Sequence, residues 1–149
     1  MTTRADIEER LRAYDDAHDR LLDEVGGAAS VEEAIEGRTV APGAYVIRLS
    51  RPAGKNTAGT GVVQKVTVRF AVLLVQDDRA GSSGADSSDD LEALCNLVED
   101  ALLNWTPPGA KRGMEYGGGK LTSRNEGRLF WQEVYQLPGQ QIRQLTPPT

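Results

Sequence analysis

The tightest constraint on this chain is the stretch from Ser87 to Gly109, SSDDLEALCNLVEDALLNWTPPG, which reads as a helix with a marked beginning and end. Leu91, Leu94, Val98, Ala101, Leu102 and Trp105 recur at spacings of three and four. That places them on one stripe and turns Asp90, Glu92, Asn96, Glu99 and Asp100 mostly to water. Ser87, Ser88 and Asp89 are candidate N-caps, and Glu92 follows Asp89 at capping-box spacing. At the other end Pro107 and Pro108 cannot extend the hydrogen-bond ladder, and Gly109 permits a sharp turn. A helix of about four turns cannot form a core alone, so this stripe requires a partner surface.

The flanking segments supply it. From Pro42-Gly43 onward, Tyr45, Ile47 and Leu49 alternate with Val46, Arg48 and Ser50, the period of a strand. A second strand puts Val66, Val68, Phe70, Val72 and Leu74 on one face and Lys65, Thr67 and Arg69 on the other. Its residues Ala71 to Val75 are apolar on both faces, which predicts cover on both. Between the two strands, Arg51 to Gly61 is an 11-residue loop of glycine and small polar residues, long for a hairpin. It suits either a contact surface or a disordered segment. A second polar loop spans Gln76 to Asp86.

After the helix, residues 111–124 read as a bent or bulged strand around Gly117-Gly118-Gly119, and Asn125-Glu126-Gly127 as a turn. Arg128 to Leu137 reads as a last strand, stopped by Pro138. At the N-terminus, Ile7, Leu11, Tyr14, His18, Leu21 and Val25 form a narrow apolar seam, predicting one helix from Arg4 to Val25. Gly26 and Gly27 end it, and Ser30 with Glu33 is placed to cap a short turn through Glu36. The expected architecture is α+β: a four-stranded, mostly antiparallel sheet with two helices packed on one face. Residues 1–137 form one domain, and residues 138–149 a flexible C-terminal arm with little to bury.

Composition narrows the functional classes. No apolar run approaches the roughly 20 residues of a membrane helix, and the N-terminus lacks the apolar core of a signal peptide, so no membrane partner is expected. With Cys95 as the only cysteine, an internal disulfide or a cysteine-based zinc site is excluded. The net charge of −5 is segregated: residues 1–36 carry 11 acidic and 4 basic side chains, and residues 37–76 carry no acidic and 6 basic ones. Residues 77–104 carry 8 and 1, and residues 105–149 carry 3 and 6. Acidic helices beside basic strands favour self-association or stacking on an oppositely charged partner, although solubility alone also accounts for acidic helix faces.

Motifs for chemistry fail one by one. Gly54-Lys55 and Gly119-Lys120 lack the earlier glycine and the following hydroxyl of a phosphate-binding loop. The pair Asp77-Asp78 and the group Asp86, Asp89 and Asp90 lack the alternation and closing glutamate of a calcium loop. The only histidine, His18, reads as a packing residue of the seam and Cys95 as a small core residue. Neither an active site nor a cofactor is expected.

One resemblance says more than these tests. The ordered series VTVRFAVLLV (Val66 to Val75), DDRAG (Asp77 to Gly81), DDLEAL (Asp89 to Leu94), ALLNWTPPGA (Ala101 to Ala110), YGGGKL (Tyr116 to Leu121) and GRLFWQEVYQL (Gly127 to Leu137) resembles the tail terminator, or tail-completion, family of long-tailed bacteriophages. The resemblance implies a helix-backed sheet similar to the minor tail protein U fold. It also implies a non-enzymatic virion protein, assembled in the host cytoplasm, six copies of which form a ring at the head-proximal end of the tail. The partners so implied are other copies of the chain, the tail tube protein and a head–tail connector protein, with DNA passing through the ring and no sequence-specific binding. Beside this, the residues themselves nominate Arg51, Lys55, Lys65, Arg69, Lys111, Arg112 and Lys120 as interface residues of the basic surface. A different connector or neck protein, or a small α+β enzyme or ligand-binding module, are the other classes considered.

Overall fold

The computed structural model describes residues 2–78 and 85–149. Most of the polar loop expected between the second strand and the long helix therefore lies outside the described residues, as do the side chains of Asp86 and Ser87. In chain order the elements are α1 (Arg4–Ala17), β1 (Glu24–Gly27), α2 (Val31–Glu36), β2 (Gly43–Ser50), β3 (Val62–Asp77), α3 (Ala85–Leu102), β4 (Glu115–Asn125) and β5 (Arg128–Gln144). The strands form one mixed sheet in the order β1-β2-β3-β5-β4. The β1/β2 pair is parallel and every other pair antiparallel.

The α+β class holds, while the expected four strands and two helices become five and three. Both additions come from the N-terminal 40 residues. Thr3 caps α1 through a reciprocal box with Asp6, and Ile7 and Leu11 are fully buried as the seam requires. The helix nevertheless stops at Ala17, not Val25. The Asp15 carboxylate, itself buried, accepts hydrogen bonds from the backbone N–H groups of Leu21 (2.8 Å) and Leu22 (3.0 Å). A short acidic side chain that captures backbone donors beyond the helix reverses the chain. The chain then returns as β1 along β2, so Val25, Gly26 and Gly27 are edge-strand residues. His18 is left exposed at the helix end, stacked on Tyr14 at 3.9 Å, and is not a buried seam residue.

The expected turn after Ser30 is a real helix, α2, whose N-cap Ser30 accepts from the Glu33 N–H at 3.1 Å. It lies against the sheet face opposite α1 and α3. There Ala34 packs with Tyr45, Ile47, Ala71, Leu73, Val75 and Phe130. On the helix face, Ile7, Leu11, Leu91, Leu94, Val98 and Leu102 meet Val46, Val68, Phe70, Val72, Leu74 and Tyr135. Cover on both faces at Ala71–Val75 is what the doubly apolar sequence there predicted. Burying each Val, Leu or Phe side chain contributes about 1.5–3 kcal/mol.

The helix α3 buries Leu91, Leu94, Val98, Ala101 and Leu102 of the predicted stripe together with Leu97, which the stripe omitted, whereas Trp105 lies beyond the end of the helix and is only half-buried. It begins at Ala85, so Ser88 and Asp89 lie inside it instead of capping it, and it ends at Leu102, four residues before Thr106. In β4 the pairing with β5 shifts register at Tyr116/Gly118 and Leu121/Ser123, the bulges expected around the glycine run. The β4–β5 turn uses Glu126 (φ 50°) and Gly127 (φ 77°), the left-handed pair of a tight hairpin.

Two boundaries differ in a way that matters for the site. Strand β5 does not stop at Pro138: it passes through a register shift opposite Val66/Val68 and pairs onward to Gln144. Proline is tolerated there because a bulge leaves one residue without a ladder partner. Nor is 51–61 a free loop. Backbone bonds Gly54 N–H to Lys65 O (2.8 Å), Thr57 N–H to Val63 O (2.9 Å) and Thr67 N–H to Pro52 O (3.0 Å) lay it along β3. The Asn56 side chain holds the tip, donating to Gly61 O and accepting from the Ala58 and Val63 N–H groups. Residues 51–58, 62–67 and 139–144 thus make a three-stranded extension of the sheet, and no member of either apolar cluster lies in it.

Candidate functional site

Three surface features follow from this arrangement. The first is the extension. Its charged residues are Arg51, Lys55, Lys65 and Arg143, and it carries no acidic one. Lys55, Lys65 and Arg143 are exposed, while Arg51 is partly buried with Nε and Nη2 lacking hydrogen-bond partners. The register Val62↔Gln144 and Gln64↔Ile142 puts Val62 and Ile142 on one side of the extension, where both are well exposed.

The second feature is an open cleft of about 300 Å³ on the α2 side of the sheet, lined by Arg69, Gly117, Gly118, Gly119, Lys120, Gln132 and Val134. Cross-strand pairing explains why Arg69 and Lys120 meet there. Arg69 pairs with Gln136 and Lys120 with Gln132, and both β5 residues face the same way. Lys65 lies on the same face of β3, further out. Of the seven nominated residues the fold thus brings Arg69 and Lys120 to one cleft and places Arg51, Lys55 and Lys65 in the extension. Lys111 and Arg112 sit in the connection after α3, both exposed. The Arg112 side chain reaches Gly139 at the root of the extension, where an added Cβ would lie 3.2 Å from its Cδ.

The third feature lies on the helix side, between α3 and the β5/β4 edge: a pocket of about 280 Å³ lined by Ser88, Leu91, Glu92, Cys95, Trp131 and Glu133. Glu133 is 4% exposed. Its Oε1 accepts from Trp131 Nε1 at 3.0 Å, whereas its Oε2 is buried with no well-formed hydrogen bond among the described residues, the Cys95 thiol and the Tyr116 hydroxyl being the donors beside the carboxylate. Gly119 passes so close that a Cβ there would be 2.7 Å from Oε2, 2.8 Å from the Tyr116 hydroxyl and 3.0 Å from Trp131 Nε1. Only glycine admits that approach. Burial pushes the Cys95 thiol far up, with Glu133 adding to it. The Tyr116 and Tyr135 hydroxyls are raised in the same way. Cys95 is therefore held as a neutral thiol, the opposite of an activated nucleophile.

Sequence reasoning missed Glu133 and Arg143. A signal for the first was present: Glu133 falls between Trp131 and Tyr135 in the inward period of β5, a charge at a core position. Arg143 lay beyond the expected strand end. Among the described residues, no group of three or more His, Cys, Asp or Glu side chains could hold a metal, and no helix is long and apolar enough to cross a membrane.

The fold is thus a mixed sheet backed by helices, and its notable surfaces are charged or apolar patches. The family model described as "Phage tail terminator protein" matches residues 4–144, so the chain belongs to the phage tail terminator family. It is a structural tail protein of the virion. A solved structure titled "Virion of native gene transfer agent (GTA) particle" contains a chain of similar fold, with a TM-score of 0.52 and 17% identity over 91% of this chain and 92% of that one. No protein with a curated description matches significantly.

Proposed function

We propose that this protein forms a ring, six copies by family resemblance, on the head-proximal end of the tail tube. There it ends tube polymerisation and offers the surface on which the tail joins the head. The observation that carries this reading is the family match over nearly the whole chain. The separation of charge supports it: an acidic α3 surface without basic side chains and a basic extension without acidic ones sit on different parts of one chain. A closed ring of identical copies repeats one heterologous contact and needs two different, complementary surfaces per copy.

In this reading Arg51, Lys55, Lys65, Arg69, Lys111, Arg112 and Lys120 serve the contacts with the tube protein, the connector protein or neighbouring copies. DNA passes through the ring, and exposed lysines and arginines touch it only through its phosphates, without reading sequence. The test is to fuse an epitope after Thr149 and locate it by gold labelling in electron micrographs. Label at the head-proximal end of free tails as well as whole particles is expected. Label that stays with tail-less heads would make the protein a connector instead, and absence from particles would overturn the structural role at the tail end.

A further inference from the structure

We infer that the pocket beside Glu133 is the socket for the basic extension of a second copy of this chain. The proposal rests on the ring reading and specifies its repeating contact.

The pocket has the chemistry of a half-made interface. Its walls are mostly apolar, yet among the described residues the buried carboxylate oxygen Glu133 Oε2 has no well-formed hydrogen bond, only the neutral Cys95 thiol and Tyr116 hydroxyl beside the carboxylate. Neutral donors leave the charge of a buried carboxylate unbalanced, and a cationic donor supplied from another copy forms the stronger, charge-assisted bond. Its rim carries Tyr116 (49% exposed) and Leu121 (46% exposed), large apolar side chains on the edge strand β4. Around it α3 exposes Glu92 and Glu99 and no basic side chain.

The extension has the opposite attributes. It exposes Val62 and Ile142 on one side and carries only positive charge. Val62 and Ile142 match the apolar rim, and the ammonium of Lys55 or the guanidinium of Arg143 is a donor of the kind Glu133 lacks. Apolar contact at the centre with charge-assisted hydrogen bonds beside it is the usual anatomy of a specific interface.

The occupant cannot be the chain's own extension. Ile142 stands nine residues beyond Glu133 on the same continuous strand β5, which at about 3.3 Å per residue separates them by about 30 Å. The two surfaces therefore meet only between copies. Because they are different surfaces, the contact runs head to tail and propagates around a ring.

The test places p-benzoylphenylalanine at Ile142 in the full-length protein, irradiates the assembled multimer, and maps the cross-links by mass spectrometry. Cross-links to peptides containing residues 88–95 or 116–121 of another copy are expected. In parallel, Glu133→Gln keeps the side-chain shape and removes its charge. It should weaken multimer formation at least tenfold with no loss of thermal stability, an outcome that a merely structural role would not produce. Lys55→Glu with Arg143→Glu should abolish assembly while leaving the circular dichroism spectrum unchanged. Adding Glu92→Lys and Glu99→Lys to that chain should restore it. Rings of full size whose cross-links map elsewhere would overturn the socket while leaving the ring intact. A wild-type protein that stays monomeric, even on purified tail tubes, would overturn both.

Discussion

The two halves of strand β3 follow opposite rules. From Phe70 to Val75 every side chain is buried, with α1 and α3 on one face and α2 on the other. From Val62 to Lys65 no side chain is fully buried, and both flanking segments are polar. One strand thus serves as the centre of a core and as the spine of a surface feature. The first half is held by apolar burial. The second is held by backbone pairing with 51–58 and 139–144 and by the Asn56 bonds at the tip. The lesson is that stability and assembly are carried by adjacent residues of one element and should separate cleanly under mutation.

The sharpest break in that comparison is a truncation in each half. Phe70→Ala should cost about 3–5 kcal/mol, read as a fall in the midpoint of urea unfolding. Val62→Ser in the extension should change the same midpoint by less than about 0.5 kcal/mol. If Val62→Ser proved as damaging as Phe70→Ala, the extension would belong to the core. A second test concerns the N-terminal reversal that places β1 beside β2. Asp15→Ala leaves the N–H groups of Leu21 and Leu22 without their acceptor, and a loss of about 1–3 kcal/mol is expected by chemical denaturation. An unchanged midpoint would mean that edge pairing alone fixes the reversal.

The folded state raises the pKa of the Cys95 thiol and the Tyr135 hydroxyl, so it holds their protons more tightly than the unfolded chain does. Their contribution is fully present below the unfolded values, about 8.5 for Cys and about 10 for Tyr. It is lost as pH rises from there towards the folded values. Melting temperature should therefore be flat from about pH 7 to 8 for these groups and fall above about pH 9, with the onset moved upward in Cys95→Ser. The smallest effect is expected at the helix start. Thr3→Ala removes the capping side chain of α1 and should cost about 1 kcal/mol, visible as a small shift in the melting curve. Asp6 still accepts from the backbone N–H of residue 3 in that variant, at 2.7 Å in the wild-type chain, so its replacement by Ala should cost a further few tenths of a kcal/mol.

Sequence patterning determined the parts of this protein whose energetics are local or strictly periodic. The α3 stripe, the alternation of β2 and β3, the double cover at Ala71–Val75, the Ser30 cap and the Gly127 turn were all legible, because each follows from side-chain period or from backbone freedom at one residue. The order of short motifs from Val66 to Leu137 was enough to indicate the family, since it samples the core strands and α3 together.

What the tertiary structure decided lies where distant residues compete for the same group. The N-terminal seam has helical spacing through Val25, yet Asp15 draws the Leu21 and Leu22 amides to itself and the edge of β2 offers Val25 a partner. Pro138 has the form of a strand stop, yet a bulge opposite Val66/Val68 absorbs it, and the exposed edge of β3 pairs residues 140–144. Glu133 could be seen as a charge in an inward position, but only the approach of Gly119, Trp131 and α3 shows that its carboxylate is buried among neutral donors, with no cation beside it among the described residues. Periodicity tells each segment what it prefers alone. Which hydrogen-bond donors and strand edges remain free to change that preference is settled only when the segments meet.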